Sequence, residues 1–284
     1  MKSRYRYRTV KKGLLIFWSA LKKFNKDHGF FLSSGITFNL LICLIPLILL
    51  FLALLGTYLY GSREVLNHIQ GYMENAFPSL DPKLMNSLLR IIRHRKIVGV
   101  LGIGGLVWAS TWVFSSLRIA LNVVFQTREG RGILRGKGID LLMILLAGIF
   151  LLVSMMLTSG VTLVQSIRSS FFLDMVPIIR FILRYVLSFL FTFWMCFLIY
   201  KVVPNRKIRF RTAFQAALFT SLLWEVAKQL FGWYVLHLGG FSIIYGSLSA
   251  LAVFFLWIYY SSVILILGGE VAFLLENERK GIHG

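Results

Sequence analysis

Apolar residues run along this chain in six long blocks separated by short polar or basic stretches: Ile36–Tyr60, Ile97–Phe125, Ile139–Val164, Ile178–Val203, Thr212–Leu238 and Ile244–Leu275. A helix needs about 20 mostly apolar residues to cross roughly 30 Å of hydrocarbon, and every block meets that length. The pattern predicts an all-α fold, a polytopic membrane bundle of six transmembrane helices. The second and sixth blocks exceed the requirement and have room to tilt or to emerge from the bilayer.

Two stretches outside the blocks have helical periodicity of their own. Leu14, Phe17, Trp18, Leu21 and Phe24 recur at helical spacing, with Lys12, Ser19, Lys22, Lys23 and Lys26 on other faces. That is the pattern of an amphipathic helix lying in the membrane interface, resting on anionic lipid or serving as a plain topological anchor. Its apolar run is too short, and lacks the small-residue ending, for a cleavable signal peptide. Between the first two blocks, Val65, Ile69, Tyr72, Met73 and Ala76 form one stripe, broken at Phe77-Pro78-Ser79. Asp81-Pro82 then supplies a helix start, and Leu84, Leu88, Ile91 and Ile92 continue an apolar face. The loop therefore reads as two short helices, ending in a basic cluster of Arg90, Arg93, Arg95 and Lys96. The cluster suits a collar that snorkels to the headgroups, or capture of an anionic lipid or polymer.

Composition agrees with a membrane location. Of 284 residues, 57% are hydrophobic and 15% charged, and the mean hydropathy is +0.76. The net charge is nonetheless +20, from 31 Lys and Arg against 11 Asp and Glu. Positive loops resist translocation, so their distribution sets orientation. Twenty of the basic residues flank one side of the predicted bundle and seven the other, with four inside spans. Both termini are thereby expected in the cytoplasm. Residues 1–34 form a basic tail and interfacial helix, 35–276 the six-span domain, and 277–284 a short cytoplasmic tail.

Charges inside a bilayer are expensive, which makes each a candidate for function. Arg180 and Arg184 start the fourth span, and Arg118 lies near the end of the second, so all three can snorkel. Glu225 and Lys228 lie about 20 and 24 Å into the fifth span at 1.5 Å per residue. Three residues apart, they share a helix face and can pair. A buried pair is often no more stable than apolar packing, so it points to a polar cavity or a switchable charge as readily as to structure. Pro46 interrupts the first span and is expected to kink it. With Tyr245, Ser247, Tyr259 and Ser261 of the sixth span, these residues make up the candidate transport pathway. Gly99, Gly102, Gly104, Gly105 and Ala109 give the second span a small-residue face for close helix contact.

Glu270 falls near the cytoplasmic end of the sixth span, where the short basic loops are its expected partners. Glu270, Asn122, Asn205, Arg206, Lys207, Arg209 and Arg211 form a candidate inner rim, suited to lipid phosphates rather than nucleic acid. An enzyme is not expected. The acidic residues are scattered, the five histidines lack ligand spacing, and Cys43 and Cys196 sit in apolar runs. No metal or cofactor is expected either. The partners implied are membrane lipids with anionic headgroups, and a homo-oligomer is left open.

The stretches SGITFNLLICLIPLILLFLALLG, GGLVWASTWVFSSLRIALNVVF and PNRKIRFRTAFQAALFTSLLWEVAKQLFGWYVLHLGGFSIIYGSLSALAVFFLWIYYSSVILILGGEVAFLLE resemble the YihY/BrkB family of bacterial inner-membrane proteins. The likeness is carried most specifically by Pro204-Asn205-Arg206, Trp224 through Lys228, Tyr245-Gly246-Ser247, Trp257 and Gly268-Gly269-Glu270, with Leu121-Asn122 after the second span. Gly269 stands where the family usually has alanine, and Gln215-Ala216 where it typically has Gly-Ala. The resemblance implies a six-span protein of a kind discussed as a transporter of ions or lipids and linked to envelope integrity or serum resistance. The family's former label as a tRNA-processing ribonuclease finds no support in these residues. The reading favoured is a transporter or translocase of anionic lipid or envelope precursor. A proton-coupled cation antiporter and a non-transporting envelope scaffold are the alternatives.

Overall fold

A computed structural model describes residues 15–59, 94–127, 188–237 and 247–281, with isolated positions at 138–139, 142–143, 145–146, 149 and 186. The described residues form helices joined by short turns and loops, with no strand among them. Helix α1 covers 15–26, α2 Gly29–Leu59, α3 Arg95–Val124, α4 Ser188–Val202, α5 Phe210–His237 and α6 Ser247–Gly281. Three stretches are long and apolar enough to cross a membrane: Gly29–Leu54, Arg95–Val124 and Leu251–Glu278. Ser188–Val202 is a shorter apolar helix. Helix α5 has the length but also carries Arg211, Glu225 and Lys228. Of the other predicted spans, the third and the first part of the fourth lie largely outside the described residues, as do the two short helices of the 61–96 loop.

Burial is inverted relative to a water-soluble protein. Phe31 and Val100 are 78% and 72% exposed, while Ser33, Thr212, Thr220, Glu270 and Glu276 are buried. Such a surface is tolerable only against lipid or another apolar partner.

Several boundaries differ from the sequence expectation. Helix α2 begins at Gly29 rather than 36, so the tail assigned to 1–34 contributes its last residues to a membrane helix. Arg95 and Lys96, expected in the loop, are the first turn of α3. Helix α6 continues to Gly281, because nothing after Leu275 breaks it and Glu276 and Asn277 are held by neighbours. At the α1–α2 joint, His28 is left-handed at φ 55°. Gly29 follows because an added Cβ would lie 2.4 Å from the Phe24 ring.

The chain divides into two compact units, 38–113 and the remainder. In the 38–113 unit the predicted small-residue face is used. A Cβ on Gly102 would come within 3.0 Å of the Leu50 backbone nitrogen, one on Gly105 within 3.1 Å of Pro46, and one on Gly99 within 3.6 Å of Ala53. Gly104 faces open space and takes no part. Pro46 thus sits in a helix contact, inside an α2 that continues past it.

The other unit is built on α3's last turns and on α4, α5 and α6. Its centre is small where helices cross: Ala213, Ala216, Ala217 and Thr220 are fully buried, as is Tyr200. Tyr200 donates to the Leu265 carbonyl at 2.8 Å, and its oxygen lies 2.9 Å from Thr220 Oγ1. Helix α3 ends with Gln126 left-handed at φ 51°. Thr127 N–H bonds to the Asn122 carbonyl at 2.9 Å and Gln126 N–H to that of Val123 at 3.0 Å. This is a Schellman cap with a glutamine where glycine is usual. Gln126→Gly is expected to raise stability by about 1 kcal/mol, the left-handed penalty it removes, read as a higher thermal midpoint in detergent.

Candidate functional site

The predicted pair on α5 is formed. Lys228 Nζ lies 2.7 Å from Glu225 Oε2, and the two side chains are 29% and 28% exposed. Lys228 also donates to Ser188 Oγ at 3.1 Å, which turns the pair toward α4. Helix geometry made this contact local, since residues three apart stack on one face.

The adjoining face of α5 forms an apolar groove with α6. It has a volume of about 380 Å³ and is lined chiefly by Leu230, Phe231, Tyr234, Trp257, Tyr260 and Ile264. Trp257 anchors it, with ring centroids 4.7 Å from Phe231 and 5.5 Å from Trp224. Of the other pathway candidates, Tyr259 is half-buried beside Tyr260, its ring centroid 6.0 Å away. Ser261 Oγ is buried without a hydrogen-bond partner among the described residues. Pro46 belongs to the α2–α3 contact described above. Tyr245 lies outside the described residues, and Ser247 begins α6.

At the basic rim distant segments converge. Asn122 Oδ1 accepts the Asn205 backbone N–H at 2.9 Å, fixing the α4–α5 loop to the end of α3. Arg206 lies over the Phe273 ring at 6.0 Å and donates to Asn277 Oδ1 at 3.3 Å. Arg209 approaches Glu276 at 3.8 Å, half exposed against a buried carboxylate. Lys207 and Arg211 are exposed. Lys201 bonds to the Ile208 carbonyl and closes the loop from the α4 side. Arg90 and Arg93 of the other basic cluster lie outside the described residues.

Glu270 departs from expectation. Its partner is Lys23 of α1, with Nζ 2.7 Å from Oε2, and Glu270 is fully buried. Lys23 also donates to Asp27 Oδ2 at 2.5 Å and to the Val124 carbonyl at 2.7 Å. The Phe273 ring lies 4.2 Å from the ammonium. Periodicity had put Lys23 on the polar face of α1. Instead Lys23 points into the bundle while Leu15 and Trp18 are 65% and 60% exposed. Phe17 meets Phe219 of α5, with ring centroids 5.9 Å apart. Asp27 and Lys23 were missed as site residues, although their four-residue spacing signals a helical ion pair. Tyr200 and Thr220 gave no local signal at all.

The family model described as virulence factor BrkB matches residues 20–283. A UPF0761 membrane protein of Haemophilus influenzae is 23% identical over 93% of this chain and 94% of its own length. UPF0761 membrane proteins of Chlorobium phaeobacteroides and Pelodictyon phaeoclathratiforme are 30% and 28% identical, over 92% and 91% of this chain. The chain spans 56% and 59% of the length of those two relatives. No solved structure matches.

Proposed function

The chain belongs to the BrkB virulence-factor family of membrane proteins, and from that premise we propose that it translocates an anionic amphiphile, a lipid or an envelope precursor, across a bacterial inner membrane. In this reading six spans cross the membrane, both termini are cytoplasmic, and α1 lies at the interface with Leu15 and Trp18 toward lipid. The observation that carries the proposal is the pairing of two unlike surfaces on α5. One face presents the Glu225–Lys228 ion pair. The adjoining face forms the aromatic-lined groove with α6. A headgroup and an acyl chain require such neighbouring polar and apolar surfaces, and 380 Å³ lies within the range of small-molecule sites. Lys228 supplies the charge for an anion once Glu225 releases it. The basic rim of Arg206, Lys207, Arg209 and Arg211 favours anionic cargo at one end.

The test is flux of a fluorescent anionic phospholipid between leaflets of vesicles carrying the purified protein. Lys228→Ala and Glu225→Gln are each expected to slow it by about tenfold or more, the loss of one charge-assisted contact worth roughly 1.4 kcal/mol or more. Unchanged flux in both variants at equal protein density rejects the role of the Glu225–Lys228 pair, and absence of flux in the wild type rejects the translocase reading in favour of a scaffold. Loss of sodium or potassium exchange in Glu225→Gln, with lipid flux intact, instead selects the cation antiporter.

A further inference from the structure

The contacts of Lys23 leave an imbalance in the cluster around it. An ammonium has three N–H donors, and here they go to Asp27 Oδ2, Glu270 Oε2 and the Val124 carbonyl. Two carboxylates therefore share one cation, in a place where Lys23 and Asp27 are 11% exposed and Glu270 not at all. Val124 ends α3, so its carbonyl adds the negative end of a helix dipole. Glu270 Oε1 is buried and has no hydrogen-bond partner among the described residues.

The other groups facing this cluster do not correct the imbalance. Arg206 of the α4–α5 loop lies 6.0 Å from the Phe273 ring centroid and is bonded to Asn277 and the Phe125 carbonyl. Glu276, further along α6, is approached by Arg209. The Tyr200 hydroxyl of α4 is engaged with Leu265 and Thr220. No group of three His, Cys, Asp or Glu among the described residues is arranged to hold a metal ion.

We propose that the Lys23–Asp27–Glu270 cluster binds one exchangeable proton on Oε1 of Glu270. A hydronium ion of the solvent gives up the proton and is left as water, the O–H bond forms on the orphaned oxygen, and the carboxylate becomes a neutral carboxylic acid. That removes the excess negative charge and weakens the tie from Glu270 to Lys23, leaving the Val124 carbonyl as the lysine's contact outside its own segment. The cluster then couples proton occupancy to the docking of α1. The proton site stands whether or not the protein moves a cargo; only its use as a driving ion rests on the translocase reading.

The test is infrared difference spectroscopy of the purified protein in lipid nanodiscs during a pH titration, following the carbonyl stretch of a protonated carboxyl group. A component of that band belonging to Glu270, apart from those of the other ten Asp and Glu, is expected in the wild type. It is lost in Glu270→Gln, which has the same shape, and its pH midpoint is displaced by about one unit or more in Asp27→Asn, where one of two interacting carboxylates is gone. If Glu270→Gln does not fold, Asp27→Asn alone decides, because Asp27 still meets solvent. Absence of that component, its persistence in Glu270→Gln, or an unmoved midpoint in Asp27→Asn overturns the proposal. Displacement of the component by sodium at constant pH overturns it in favour of a metal cation.

Discussion

Replacing Gly268 by leucine is expected to leave no folded protein, and Gly268→Ala to lower stability by about 3 kcal/mol. A Cβ at this position would lie 1.9 Å from Thr220 Oγ1 and 2.2 Å from the Tyr200 hydroxyl. Neither oxygen has a free direction in which to retreat. Tyr200 is fully buried and held by the Leu265 carbonyl. Thr220 is also fully buried, and its hydroxyl lies 2.8 Å from the Ala216 carbonyl. Overpacking a tight contact costs about 1–3 kcal/mol, and forcing a buried hydroxyl off its partner adds roughly 1–3 kcal/mol. Next along the chain, Gly269 has the same constraint in milder form, with an added Cβ 3.0 Å from Leu121. The measurement is the thermal midpoint of detergent-purified protein. Gly232→Ala is the control, because a Cβ there meets nothing within 4 Å. Gly232 lies inside α5, so its replacement is expected to be neutral or stabilising by up to about 1 kcal/mol.

The second large effect is expected at the α1 anchor. Lys23→Ala leaves Asp27 and Glu270 without the cation between them, and breaking a buried pair from one side costs about 3–5 kcal/mol. Glu270→Ala is expected to cost less, because Lys23 keeps Asp27 and the Val124 carbonyl. The double replacement Lys23→Met with Glu270→Leu removes both charges and fills their volume. It is expected to recover most of the stability, since apolar substitutes for buried pairs are often neutral. A double-mutant cycle on thermal midpoints isolates the coupling, expected at about 1–3 kcal/mol between residues in direct contact. A coupling near zero would mean that α1 is held by Phe17 and Phe24 rather than by its lysine.

The two predictions differ in how visible their residues are in the sequence. Lys23 and Asp27 could be paired by spacing, and Glu270 was legible as a charge near a helix end. Their union could not be foreseen, because Lys23 and Glu270 are 247 positions apart. The Glu225–Lys228 pair was fully legible, since one turn of one helix creates it. The glycine face of α3 was legible for the same reason, apart from Gly104, which the helix turns away. The α5–α6 groove and the Tyr200–Thr220–Gly268 contact were not legible from either helix alone.

The sequence by itself determined that this chain belongs in a membrane, where the described apolar helices run apart from their ends, and which charges share a helix face. All of these follow from hydrophobic length and from the 3.6-residue turn, which are local properties. Only the tertiary structure decided which side of each helix meets another helix. In water an amphipathic stripe would announce that side, but lipid and protein interior are equally apolar, so the stripe fades. The rotation of each helix is then set by glycine contacts, a buried tyrosine and one inward lysine. Those contacts join residues that no local pattern connects.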